Sequence, residues 1–260
     1  MTSPHTSESG VIVQVKQSPT GVALDAAAAF QRLAQQAVAM GVPFRVGLSG
    51  GSTPKLLYGL LASEPFKSEI AWDNIGFFFV DERFVAHDHP DSNYKLANDE
   101  LFSKVGVNSA NVFPMPTEGM TPGEAAAQYE ATIRTEFGLE DGDVPEFDLL
   151  FLGMGDDGHT ASLFPHTALI HEQGRLVAAH YVEKVASHRI TLTPAVLTSA
   201  REAIFTVTGE GKAPVLKEVL EGEENVDEYP SQLMRGATGR VVWLVDKAAA
   251  SQLEGEYPRT

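Results

Sequence analysis

Cysteine is absent from the 260 residues, which removes disulfides, thiolate nucleophiles, iron–sulfur clusters and cysteine-bearing zinc sites together. No apolar run approaches the ~18–20 residues of a membrane-spanning helix. The opening segment, MTSPHTSESG, has neither the basic start nor the apolar stretch of a secretory leader. It reads as a flexible N-terminus over residues 1–10, in front of a soluble cytoplasmic protein. Positive charge is scarce: Lys+Arg number 19 against 35 Asp+Glu, a formal net charge of −16. Such a chain repels phosphate backbones and anionic lipid, so neither nucleic acid nor a membrane surface is expected as a partner. An anionic small molecule must then be drawn in by a local cluster of cations. What is present is ordinary for a globular chain, with 43% hydrophobic and 21% charged residues. The length allows one large domain or two small ones.

Along the chain, strand-like and helix-like stretches alternate. The segment VIVQV at 11–15 is short and β-branched, as strands are. Over 21–40, Val22, Ala26, Phe30, Leu33, Ala37 and Met40 recur at helical spacing and Gly41 is a natural stop. A strand follows at 44–49, then a helix at 54–62 with Thr53 as N-cap and Pro54 in the first helical position. IGFFFV at 75–80 and FDLLFL at 147–152 are nearly all apolar, which suits strands buried on both faces. Helices at 93–104, 122–137 and 212–220, with strands at 188–192, 203–208 and 241–245, complete the reading. The alternation predicts an α/β fold: a Rossmann-like, mainly parallel sheet with helices on both faces, and room for a small subdomain. The acidic stretches 138–146 and 221–230 read as solvated connections.

In open α/β sheets ligands bind beyond the carboxyl ends of the strands, and four segments place unusual chemistry there. The first is Gly50, Gly51, Ser52 and Thr53, between a strand and a helix. Two glycines let backbone approach a ligand, and the free N–H groups of the helix start suit an anion such as phosphate; the Walker spacing is absent. The same stretch spells G-x-S-x-G at 47–51, an invitation to an esterase reading with Ser49 as nucleophile. Against this, only one strand precedes it and no HGGG-type oxyanion segment lies upstream. The second is Asp81, Glu82 and Arg83, whose charges at the end of a buried strand are costly unless they face a polar cleft. The nearby His87 and His89 lack further ligands at coordination spacing and read as solvated surface, so no metal is expected. The third is GMGDDGH at 153–159. It spells GxGxxG, but Asp156 and Asp157 stand where a pyrophosphate would lie, so a dinucleotide site is rejected. What remains is a glycine turn displaying carboxylates and His159, a candidate general acid–base because the unperturbed imidazole pKa is about 6.5. The fourth is the pair Arg189 and Lys212, cations at late strand ends, side chains of the type that grips phosphate.

Five segments, GLSGGSTPKLLY (47–58), VDERFV (80–85), LGMGDDGHTASLFP (152–165), HRITLTPAVL (188–197) and GEGKAPVL (209–216), resemble the 6-phosphogluconolactonases in order and spacing. The likeness spans residues 11 to 250, and GDDGHTASLFP is its most specific part. It implies a single α/β sugar-phosphate lactonase domain over 11–260 that hydrolyses 6-phospho-D-glucono-1,5-lactone, the second step of the oxidative pentose phosphate pathway. It also implies kinship with the glucosamine-6-phosphate deaminases, which carry a catalytic glutamate five residues after the histidine; here that position is Phe164. Sugar-phosphate-sensing regulators share the fold, but this chain has no added DNA-binding domain. A δ-lactone is an activated ester, so no cofactor is expected. The assignment places phosphate on the turn at 50–53 under Arg189 and Lys212, His159 as the base that activates water, and Asp157 as its orienter or as a holder of a sugar hydroxyl. Asp81 and Arg83 steady the loop or touch substrate. A monomer or weak homodimer is expected.

Overall fold

The computed structural model describes residues 11–258; the expected flexible N-terminus lies outside the described residues. In chain order the strands are β1 (Val11–Lys16), β2 (Phe44–Leu48), β3 (Ile75–Phe79), β4 (Asp81–Arg83), β5 (Leu149–Leu152), β6 (Val177–Val182), β7 (Ser187–Leu192), β8 (Glu202–Val207) and β9 (Arg240–Asp246). The α-helices are α1 (Pro19–Met40), α2 (Ser52–Leu61), α3 (Phe66–Glu69), α4 (Asn93–Ala97), α5 (Ser103–Val105), α6 (Pro122–Phe137), α7 (Pro194–Ser199) and α8 (Ala213–Glu221). Six strands form one sheet in the order β1-β9-β8-β5-β2-β3, every pair parallel.

The apolar runs explain the burial. Successive side chains of a strand point to opposite faces, and in β3 the neighbours Phe77 and Phe78 do so. Phe77 stacks on Phe30 of α1 with centroids 6.5 Å apart, whereas Phe78 meets Phe137 at the end of α6 at 5.6 Å. The sheet is therefore covered on both sides, as the continuous hydrophobicity of IGFFFV requires. Helix α1 begins where the Ser18 hydroxyl accepts from the Gly21 N–H, with Pro19 next in sequence, and ends at Gly41 in the left-handed region, φ 69°. Helix α6 opens with a reciprocal capping box between Thr121 and Glu124.

After β2 the chain goes out to β3, then returns to the other side of β2 for β5 and continues to β8 and β9. The direction of winding thus reverses between β2 and β5, where a crevice opens beyond the strand ends.

Several expectations need correction. Residues 177–182 form a strand that periodicity did not reveal, and 187–192 pairs with it antiparallel in a separate sheet, β4-β7-β6. Arg189 therefore sits in mid-strand of this small sheet, not at the end of a strand of the main one. Asp81, Glu82 and Arg83 form a short strand, because Val80 hands the chain from the main sheet to β7: its N–H donates to Leu48 O and its carbonyl accepts from Leu192 N. The helix expected at 93–104 is interrupted by a π-turn at Asn98–Phe102. Helix α2 is capped by the backbone of Gly51, φ 114°, and not by Thr53, whose Oγ1 lies 3.0 Å from Thr208 Oγ1. Lys212 is the residue before α8, closing a short 3-10 turn.

Candidate active site

The loops that follow β2, β3, β5 and β8 meet at the crevice, and the small sheet closes its side. Two lobes of about 300 and 200 Å³ share Asp81, Arg83, Asp156, His159 and Ala161. Ser49, Gly50, Asn93 and Lys212 line the larger lobe; Asp157, Lys184 and Arg189 line the smaller. The structure thus gathers Gly50, Asp81, Arg83, Asp157, His159, Arg189 and Lys212 around one cleft. Gly51, Ser52 and Thr53 do not line it; Gly51 and Ser52 are exposed and Thr53 is buried against Thr208.

His159 is held by its own turn. Gly158 takes φ 79°, a backbone state that favours glycine, and the Gly155 N–H donates to the His159 carbonyl at 2.8 Å. Asp157 Oδ1 then accepts from the His159 backbone N–H at 3.1 Å and lies 2.5 Å from ring Nδ1. A Cβ on Gly155 would overlap both His159 Nδ1 and Asp157 Oδ1. The glycine spacing serves this close approach, not a nucleotide. Phe164 stacks on the imidazole, with centroids 4.1 Å apart. Burial by itself would raise the Asp157 carboxyl; the hydrogen bond and charge of His159, with the Lys184 ammonium at 2.7 Å from Oδ2, overcome this and hold it well below the usual carboxylate range. An ionised Asp157 at this distance is suited to accept a proton from Nδ1.

Ser162 and Asn93, which sequence reasoning missed, and Glu82, which it singled out, fix this loop. Ser162 binds all three walls: its Oγ donates to Asp81 Oδ2 at 2.6 Å, its N–H to Thr191 Oγ1 at 3.2 Å, and its carbonyl accepts from His180 Nε2 at 2.8 Å. Asn93 Nδ2 donates to the Asp81 carbonyl at 2.9 Å, and its amide fills the space a side chain at Gly50 would need. Glu82, almost fully buried, accepts from the N–H groups of Asn93, Tyr94 and Arg83 and from Ser92 Oγ. Burial pushes its carboxyl up and those backbone donors oppose the push. Polar residues of this kind leave no periodic trace. Ser162 lies inside one of the five family-like segments, whereas Asn93 lies outside all of them.

Three further cations, Arg83, Arg189 and Lys212, line the cleft. Arg83 and Arg189 are register partners across β4 and β7, so two like charges stand side by side. Burial first, and the Arg83 charge next, depress the Arg189 guanidinium. Arg83 Nη1 donates to the Asp91 carbonyl at 2.7 Å. Among the described residues neither Arg189 nor Lys212 has a salt bridge. Ser49 Oγ is buried with no hydrogen-bond partner; no base touches it, so it lacks the activation a nucleophilic serine needs. His87 turns its ring to the Met115 carbonyl and Tyr94, and among the described residues no group of three His, Asp or Glu is gathered for a metal.

Residues 17–243 match the family described as glucosamine-6-phosphate isomerases/6-phosphogluconolactonase. The chain is similar to the 6-phosphogluconolactonase of Synechocystis sp., 39% identical over 208 residues, covering 80% of this chain and 84% of that one. It is also 39% identical to that of Homo sapiens over 214 residues, 81% of each. The solved structure of 6-phosphogluconolactonase from Trypanosoma cruzi superposes with a TM-score of 0.82 at 29% identity, over 94% of this chain and 97% of that one.

One substitution tests the turn. Gly155→Ala should lower kcat/KM at least about 100-fold, because a displacement of about 1 Å at a reacting group can cost that much, while the thermal unfolding midpoint moves by only a few degrees. Near-wild-type activity would show that the His159–Asp157 contact is not required.

Proposed function

Starting from the fact that the chain belongs to the glucosamine-6-phosphate isomerase/6-phosphogluconolactonase family, we propose how its cleft carries out the family's lactone chemistry. The chain hydrolyses 6-phospho-D-glucono-1,5-lactone to 6-phospho-D-gluconate in the pentose phosphate pathway. The phosphate lies against the turn after β2, facing Gly50, and is neutralised by Lys212, Arg83 and Arg189; an anion there relieves the repulsion between the two guanidiniums. The lactone carbonyl then lies beside His159. Nε2 removes a proton from a water as the water attacks C1, a tetrahedral oxyanion forms, and the imidazolium returns the proton to the ring oxygen as the C1–O bond breaks. Asp157 fixes the tautomer and stabilises the imidazolium. Asp81 anchors the 155–165 loop through Ser162 and Asn93. The observation that carries this reading is the Asp157–His159 contact opening onto a cleft in which, among the described residues, Arg83, Arg189 and Lys212 have no carboxylate partner.

The alternatives are less well supported. Phe164 packs on the imidazole at the position where the deaminases carry a glutamate, and Ser49 has no base. We infer a monomer or weak homodimer. No helix among the described residues is long and apolar enough to cross a membrane, which agrees with a cytoplasmic place for a pathway enzyme.

Phosphate recognition should dominate substrate choice: unphosphorylated gluconolactone should show kcat/KM lower by at least about 100-fold, measured by proton release corrected for spontaneous hydrolysis. Equal values would sink the assignment of the cations.

The base makes a second prediction. Asp157 is held well below its usual range, so with His159 as the base an acid limb of kcat/KM reports protonation of the imidazole. His159→Asn should remove that limb and lower activity by about 10²–10⁴-fold, with Ser49→Ala much milder. The reverse pattern, with both variants folded, would favour an acyl-serine route.

A further inference from the structure

Lys184 was not singled out by composition or motif, yet its ammonium occupies the back of the catalytic pair. It donates to Asp157 Oδ2 at 2.7 Å and lies 3.9 Å from Asp156 Oδ1. It comes from the other sheet: residues 183–185 are the tight turn joining β6 to β7, and Ala186 closes that turn at φ 45°, a left-handed conformation that costs a non-glycine residue. The hairpin is thus bent so that its tip reaches the loop of the main sheet.

We propose that Lys184 is a positioning residue for the lactonase reaction, holding Asp157 Oδ2 so that Oδ1 stays on His159 Nδ1. The inference rests on His159 being the base. An aspartate carboxylate turns about a soft terminal torsion, and 16% of the Asp157 side chain is accessible. Anchoring one oxygen removes the alternative in which both drift toward water. The hydrogen bond to Asp157 raises the Lys184 amine, so the ammonium stays charged through the working range. Its charge also opposes protonation of His159. The other charged groups that face the imidazole are Asp156 and Asp157 of its own loop, Asp81 and Arg83 of β4, Arg189 of β7, and Lys212. Lys184 is the one of the four cations that touches the Asp157 carboxylate.

The test is a kcat/KM profile against pH for wild type, Lys184→Met and Lys184→Arg, with kcat and KM resolved at the optimum and folding checked by circular dichroism. Removing a positive charge favours the imidazolium, so Lys184→Met should move the acid limb up by about 0.5–1 pH unit. It should lower kcat about tenfold and leave KM within about twofold; Lys184→Arg should restore the limb and most of kcat. An acid limb that Lys184→Met does not move overturns the inference. So does a loss carried by KM alone, which would make Lys184 a substrate contact. A wild-type profile without any acid limb would overturn the base assignment itself, and with it this inference.

Discussion

The contact between Asp157 Oδ1 and His159 Nδ1 is the constraint on which the rest of the site depends. It links two residues separated only by Gly158, so it exists only because the backbone doubles back there and leaves room at Gly155. The loop that carries it crosses from the main sheet to the small one. Ser162 ties it there to Asp81, Thr191 and His180, residues of β4, β7 and β6. The dyad is therefore as rigid as the junction of the two sheets. A hydroxyl, an amide and a carboxylate buried at that junction do for the loop what apolar packing does for the strands.

A chain of net charge −16 faces a difficulty with an anionic substrate, and the architecture answers it locally. The main sheet contributes Lys212 beyond β8, and the small sheet contributes Arg83 and Arg189 in register on neighbouring strands. Like charges side by side destabilise an empty sheet. Glu82 offsets this from behind, buried and saturated by backbone donors, so that β4 stays in place without drawing Arg83 into an ion pair. On the proposed reading, a bound phosphate would offset this repulsion.

Much of this was legible in the sequence, and the reasons differ by element. Buried strands such as IGFFFV announce themselves by continuous hydrophobicity, and α1 by its 3.6-residue period. The glycine turn, Asp157 and His159 stand out because charge follows an apolar strand. The small sheet was hidden: VAAHYV at 177–182 mixes small and polar residues, and β4 is three charged or polar residues whose strand state is imposed by pairing with β7 alone. Thr53 looked like an N-cap because a hydroxyl before proline suits that position, but the Gly51 backbone starts the helix two residues earlier. Lys184, Ser162 and Asn93 act through distances set by tertiary structure, which no local pattern encodes.

The central claim is that Asp157 holds His159 with its proton on Nδ1 and leaves Nε2 as the base. Nitrogen-15 NMR of the histidine rings tests it most directly, with His159 assigned by comparison with His159→Asn. The account predicts an Nδ1–H tautomer at high pH, and a protonation midpoint that coincides with the acid limb of kcat/KM. An Nε2–H tautomer, or a ring that titrates independently of activity, would contradict it.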